Sequence, residues 1–417
     1  MRRSASNALQ HLAGAAQLAT DATLRATDLV EAVHAQVVRP PRWGHPAHAE
    51  RTGALSGLVY RSVRGVTRVT GRSVAALLQS LSRYPHAGAS GAASQRAATL
   101  AALNGVLGDY LAYTRNPLAT AMSLHGAEAV PRTGNVAADA FTHATHDTSG
   151  GLLLMIHGLC MDEQHWTRAG HNHGLALGQA LGLEPLFLRY NSGLHIATNG
   201  QALTELLERT LAQASRKPKR LVIIGHSMGG LLARSAIHHG LQAGHRWPQQ
   251  VTDLICLGTP HHGAPLERIG HGFNTLLERL PYLAPFARLG RLRSAGITDL
   301  RYGSLLNVNP SRFLQHSDPP EAVALPDGIR CFALAATLGQ HDSSLSRHLL
   351  GDGLVPLDSA LGRHPDPSRH LAFLPRRQWV AEGTGHFELL NDPRVYARLL
   401  RWLTPLSRQR RLRSPTQ

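Results

Sequence analysis

The chain has 417 residues, 43% of them hydrophobic, which is enough to bury one α/β domain with an appended region and excludes a disordered or fibrous polymer. Its three cysteines, Cys160, Cys256 and Cys331, all fall at or beside apolar runs, which argues against a disulfide scaffold and for a reducing, cytoplasmic setting. The formal net charge is +16, but no aromatic-interleaved basic motif accompanies it; this argues against nucleic acid as the main partner and leaves peripheral contact with anionic lipid at the inner membrane face.

The first residues, Met1-Arg2-Arg3-Ser4-Ala5-Ser6-Asn7, are basic but lead into no signal-like apolar stretch, and no run reaches the length of a membrane span. Residues 1–145 read as an Ala-rich helical region broken at Arg39-Pro40-Pro41-Arg42 and by Gly/Ala/Ser stretches near 87–93, without a catalytic motif. Within it, residues 57–81 set Val59, Val63, Val66, Val69, Val74 and Leu77 against Arg61, Arg64, Arg68 and Arg72. Such a helix either packs on the α/β domain with its arginines in water, or serves as a membrane-surface helix or a cover over substrate.

From residue 150 onward strands and helices alternate, with strands expected at 152–156, 186–190, 221–225 and 251–257, the pattern of a parallel sheet covered on both faces. The first strand runs into His157-Gly158-Leu159, and a backbone N–H in the loop after such a strand can bind a developing oxyanion, so Leu159 is the expected donor. The second strand ends in Arg189-Tyr190-Asn191-Ser192, which brings Tyr190 to the same sheet edge. The third feeds Gly225-His226-Ser227-Met228-Gly229 and then a helical pattern, a strand-to-helix elbow that exposes Ser227 as nucleophile and offers the N–H of Met228 as second oxyanion donor. In a chain with 40 glycines that pentapeptide arises by chance with a probability of roughly a few tenths, so its partners decide the matter. His157, Tyr190 and His226 are the expected substrate contacts.

Between His261 and Pro326 the alternation stops, and pieces such as Phe273–Leu277 and Leu283–Leu289 read as a helical cap over the site, suited to an apolar acyl chain. The run Cys331–Ala336 is the expected next-to-last core strand, followed by a loop that holds Asp352 between two glycines. An Asp between glycines is also ordinary turn chemistry, and Asp342 and Asp358 are the alternative acids. After the last strand, His386 stands at the end of a Gly-containing loop and before a helix at 392–403, a position that singles it out from the other histidines as general base. The basic tail at 406–417 reads as a solvated end.

Together, His157-Gly158-Leu159, Gly225-His226-Ser227-Met228-Gly229, Gly258-Thr259-Pro260-His261-His262-Gly263, Asp352-Gly353-Leu354-Val355 and Gly385-His386 resemble the α/β-hydrolase superfamily, near bacterial lipases and carboxylesterases and the glycosylphosphatidylinositol inositol-deacylases. The resemblance covers about residues 150–405. It implies a Ser227, Asp352, His386 triad, an acyl-enzyme intermediate, and an α/β-hydrolase domain at 146–405 with its cap at about 261–326. Some lipases of that branch carry a structural calcium, but no carboxylate set here matches one, so neither metal nor cofactor is expected. The expected function is therefore a serine hydrolase of carboxylic esters. A thioesterase or acyltransferase on the same triad is the alternative, and from another class a non-catalytic adaptor that binds a membrane or partner.

Overall fold

The structure, a computed structural model, describes residues 2–38, 60–61, 63–65, 67–68, 92–127, 151–214, 218–264, 294–306, 321–339 and 351–404. Asp342, the cap pieces at 273–277 and 283–289, most of 57–81 and the basic tail lie outside the described residues.

The described residues divide into two compact units, Met1–Ala92 with Leu111–Ala119, and Ala93–Tyr110 with Thr120–Gln417. The first contains helix α1 (Arg2–Val38). There Asn116 donates from Nδ2 to the Gly14 carbonyl at 3.1 Å, and a side chain at Gly14 would run into Asn116 and Leu118. Arg64, on the face whose arginines the sequence placed in water, is buried and paired with Asp28 and Glu31, whereas Arg61 and Arg68 are exposed. A guanidinium leaves water when a carboxylate meets it inside, and the buried Glu31 on α1 does so here, with Asp28 pairing from the surface.

The second unit is built on a seven-stranded sheet. Its strands are β1 (Ser123–Gly126), β2 (Leu152–Ile156), β3 (Glu184–Arg189), β4 (Leu221–His226), β5 (Val251–Leu257), β6 (Arg330–Thr337) and β7 (Gln378–Glu382). The order is β1-β3-β2-β4-β5-β6-β7, parallel throughout except for β1, which runs antiparallel to β3 with Leu124 opposite Leu188. Continuous apolar runs form β2 and β4 because every residue of both is buried, one set of alternate side chains on each face. Leu154, Ile223 and Leu254 point to the face covered by α4 (Ile196–Ala212) and α5 (Met228–Gln242). Met155, Ile224 and Ile255 point to the other, covered by α3 (His173–Leu181) and α8 (Pro393–Leu403). All three cysteines are free and buried, packed as small apolar side chains.

Helix α2 (Ala92–Tyr113) and strand β1 both precede residue 146, and 93–110 and 120–127 group with the sheet. The sheet therefore takes an edge strand from the stretch read as purely helical.

The strand order reverses about β2, whose neighbours are β3 and β4, so the ends of β2 and β4 lie at the switch point where open α/β sheets bind their ligands. Helix α5 lies close to β2 there: a Cβ on Gly229 would stand 2.2 Å from the Ile156 carbonyl oxygen and 2.7 Å from that of His157. Backbone cannot move aside as a flexible side chain can, so Gly229→Ala is expected to destabilise the fold by roughly 3 kcal/mol or more. Urea unfolding measures this; a shift below about 1 kcal/mol would show that the helix slides on the strand.

Candidate active site

Ser227 occupies the turn between β4 and α5 at φ 55° and ψ −123°, a conformation that a non-glycine residue holds only where its surroundings over-determine it. Those surroundings are close: the Ser227 N–H donates to the Leu257 carbonyl at 2.8 Å, and the Ser227 carbonyl accepts from Gly230 N at 3.1 Å. Gly225 packs on the helix backbone, where a Cβ would stand 2.5 Å from Gly229 C and Gly230 N. Met228 begins α5, so its N–H has no acceptor one turn back in the helix. A Cβ on Gly158 would lie 3.0 Å from Ser227 Cβ, which puts the loop after β2 against the serine, with Leu159 half-buried beside it.

Asp352 follows β6 in a turn whose flanking glycines, Gly351 at φ 51° and Gly353 at φ 93°, take conformations that other residues rarely adopt. Its Oδ1 accepts from the N–H groups of Leu354 at 3.0 Å and Val355 at 2.8 Å, and its Oδ2 meets His386 Nδ1 at 2.6 Å. The His386 N–H also donates to the Asp352 carbonyl at 3.1 Å, so ring and backbone are both pinned to one residue. This arrangement commits Nδ1 to the carboxylate and leaves Nε2 as the other ring nitrogen. Both side chains are almost wholly buried. The cluster closes at Gly258 after β5, where a Cβ would stand 3.2 Å from both Asp352 Oδ2 and His386 Cε1, one residue beyond the Leu257 carbonyl that holds Ser227.

The three expected substrate contacts lie beneath the site. His157 is fully buried, stacks on Tyr190 with ring centroids 4.3 Å apart, and places Nδ1 2.9 Å from the Gly158 carbonyl. The Tyr190 hydroxyl donates to the His157 carbonyl at 2.8 Å. His226 is fully buried too, with Nε2 3.1 Å from the His386 carbonyl and its ring 4.7 Å from that of His386. These side chains hold the loops after β2 and β7 through internal hydrogen bonds and ring contacts. Residues that sequence reading passed over hold the same loops. Ser192 Oγ accepts from Cys160 N at 3.0 Å, and Arg394 donates to Thr384 Oγ1 at 2.7 Å and to Asp392 beside the histidine loop.

Burial keeps several histidines of this region neutral. His157 and His173 are lowered to about 4, chiefly by desolvation. His226 is held well below its ordinary value by burial and then by His386, and His261 likewise by burial and then by Arg234. An unfolded chain protonates these rings near pH 6.5, so below that pH it binds more protons than the folded chain. Stability is thus unaffected above about pH 6.5 and is lost as pH falls toward about 4, with His157 and His173 each costing on the order of 2 kcal/mol at pH 5. Thermal melts should show Tm lower by roughly 10 °C or more at pH 5 than at pH 7.5. Equal Tm values would show that these rings are not held neutral.

Among the described residues no helix is long and apolar enough to cross a membrane, and no group of three or more His, Cys, Asp or Glu could hold a metal ion.

A mainly parallel sheet, a serine on a strained strand-to-helix turn and an Asp–His pair on the loops after β6 and β7 make an α/β fold of the α/β-hydrolase kind. Residues 147–284 match the family described as the PGAP1-like alpha/beta domain. No curated protein matches the chain. Among solved structures, the mature lipase of Bacillus licheniformis is 20% identical over 62% of this chain and 94% of its own, with a TM-score of 0.40. An esterase of Pyrococcus furiosus is 15% identical over 62% and 85%, with a TM-score of 0.37. The alpha/beta hydrolase domain-containing protein 10 from mouse is 14% identical over 62% and 89%, with a TM-score of 0.34.

Proposed function

We propose that the chain is a serine hydrolase that cleaves carboxylic esters through an acyl-enzyme on Ser227. The observation that carries this reading is the 2.6 Å contact of His386 Nδ1 with Asp352 Oδ2 in a buried cluster that reaches Ser227 through Gly258 and Leu257. In this mechanism Ser227 Oγ attacks the ester carbonyl carbon while its proton passes to His386 Nε2, and the carbonyl electron pair moves onto oxygen. The N–H groups of Leu159 and Met228 stabilise that oxyanion, Met228 with the favourable end of the α5 dipole behind it. Collapse expels the alcohol, which takes the proton from His386, and water repeats the sequence to release the acid. Asp352 holds the imidazole with Nδ1–H turned toward itself, so that Nε2 is the basic nitrogen.

Peripheral contact with an anionic membrane belongs to the same reading. Exposed Arg401 on α8, with Arg398 of the same helix lying 4.9 Å from the Trp379 ring centroid, supports it, since basic side chains are drawn to an anionic headgroup layer.

The test is hydrolysis of p-nitrophenyl esters from acetate to palmitate by the full chain and by Ser227→Ala. Serine-dependent turnover with an optimum at one acyl length is the expected result. No turnover of any ester by folded protein would overturn it and move the weight to acyl transfer or to an adaptor.

A further inference from the structure

Cys160, the residue after Leu159, has φ 59°, the second strained non-glycine position beside the site. Its N–H is held by Ser192 Oγ, and its thiol lies 3.7 Å from the Ala102 carbonyl oxygen on α2. Gly105, one turn further along α2, lies flush on it: a Cβ there would stand 1.9 Å from Cys160 Sγ and 2.9 Å from its Cα and N. The next turn repeats the arrangement on the loop after β3. A Cβ on Gly108 would stand 1.8 Å from Asn191 Oδ1, while Asn191 Nδ2 donates to the Gly108 carbonyl at 2.8 Å. A Cβ on Gly193 would in turn stand 2.1 Å from the Asn104 carbonyl oxygen.

The same stretch of α2 receives helix α6 (Ala295–Tyr302), which falls within the expected cap. Ser294 Oγ donates to the Gly105 carbonyl at 2.6 Å, Ala295 N donates to Asp109 Oδ2 at 2.9 Å, and Gly296 N donates to the Gly193 carbonyl at 3.0 Å. Glycine inside a helix is disfavoured by propensity, yet both glycines fall where a side chain would collide with a loop of the site. The close approach accounts for them.

We propose that α2, through Gly105 seated on Cys160, is the positioning element of the oxyanion loop, so that residues 93–110 belong to the catalytic unit. The inference rests on the reading of Leu159 as oxyanion donor. A left-handed residue is kept only where its surroundings over-determine it, and at Cys160 those surroundings are Gly105, the Ala102 carbonyl and the Ser192 hydroxyl. A donor aimed at a transition-state oxygen must be fixed before the charge develops, and its displacement costs rate more than substrate binding.

The experiment compares wild type, Gly105→Ala, Cys160→Ala and the double variant Gly105→Ala/Cys160→Gly on p-nitrophenyl butyrate and on an alkyl trifluoromethyl ketone. The ketone carbon bonds to Ser227 Oγ, the serine proton passes to His386, and the carbonyl pair becomes an oxyanion that needs the same donors. Gly105→Ala should lower kcat at least tenfold with KM within twofold, and weaken the ketone by a similar factor. The double variant, which removes Sγ and gives position 160 the residue its φ favours, should recover part of both. Cys160→Ala keeps the fold and should lower kcat and ketone affinity several-fold together. A lowered Tm with unchanged kcat and ketone affinity in Gly105→Ala and Cys160→Ala would overturn the proposal and leave α2 a packing role. Failure of wild type to show any Ser227-dependent turnover would sink the oxyanion reading beneath it, and is told apart because it appears before any variant is compared.

Discussion

Ser227→Ala is expected to lower kcat on the preferred ester by on the order of 10⁵- to 10⁶-fold, His386→Ala by a similar factor, and the pair together by little more. The physical reason is that a nucleophile and its base act as one unit. Without His386 the hydroxyl keeps its proton, and without Ser227 the imidazole has nothing to activate. Losses that multiply in the double variant would mean that the two residues serve separate steps. Stability moves the other way. Ser227 sits at φ 55°, where an L side chain is strained, so Ser227→Gly should abolish turnover and yet raise stability by about 1 kcal/mol in urea unfolding. A fold that gained nothing from glycine at 227 would show that the elbow stores no strain.

What the sequence made legible follows from how each element is buried. Strands β2, β4 and β5 are central, covered on both faces, and so appear as unbroken apolar runs; their expected limits of 152–156, 221–225 and 251–257 match Leu152–Ile156, Leu221–His226 and Val251–Leu257 closely. Strand β7 and helix α8 were legible for a related reason: the helix buries Val395, Leu399 and Leu403 at helical spacing, and the strand precedes the histidine loop. The Asp–His contact was reachable from chain order and from the glycines on either side of Asp352, which in the structure take positive φ.

Strand β1 was not legible. It has four residues, Ser-Leu-His-Gly, only Leu124 carries an apolar side chain, and its partner β3 lies some sixty residues away, so no local period could reveal it. Helix α2 fell within the stretch read as helical, but its place beside the site was hidden, because Ala101, Ala102, Leu103, Val106 and Leu107 are all buried and so trace no single apolar stripe. His157 and His226 drew notice because they flank Gly158 and Ser227, and Tyr190 because its strand ends at the same sheet edge; that all three are buried, with the Tyr190 ring stacked on His157 and His226 beside the His386 carbonyl, could not be read from the chain.

Asp352→Asn is the sharpest test of the acid, because the substitution keeps shape and changes only which partner holds the proton. The new side chain can still accept from Leu354 N and Val355 N through its carbonyl oxygen, so the turn survives. Its amide then faces His386 Nδ1 as a donor, which favours the tautomer with hydrogen on Nε2, and such a ring cannot take the serine proton. The expected result is a fall in kcat on the order of 10⁴-fold with KM and Tm little changed. Asp358 offers the comparison: its side chain is half exposed at the start of the short helix α7 (Leu357–Ala360) and lies 3.6 Å from Arg363, so Asp358→Asn should leave kcat within about twofold. Asp342→Asn is measured beside them. If either of these two variants lost activity while Asp352→Asn kept it, the carboxylate that orients His386 during turnover would not be the one that meets it at 2.6 Å, and the histidine loop would have to rearrange when substrate binds.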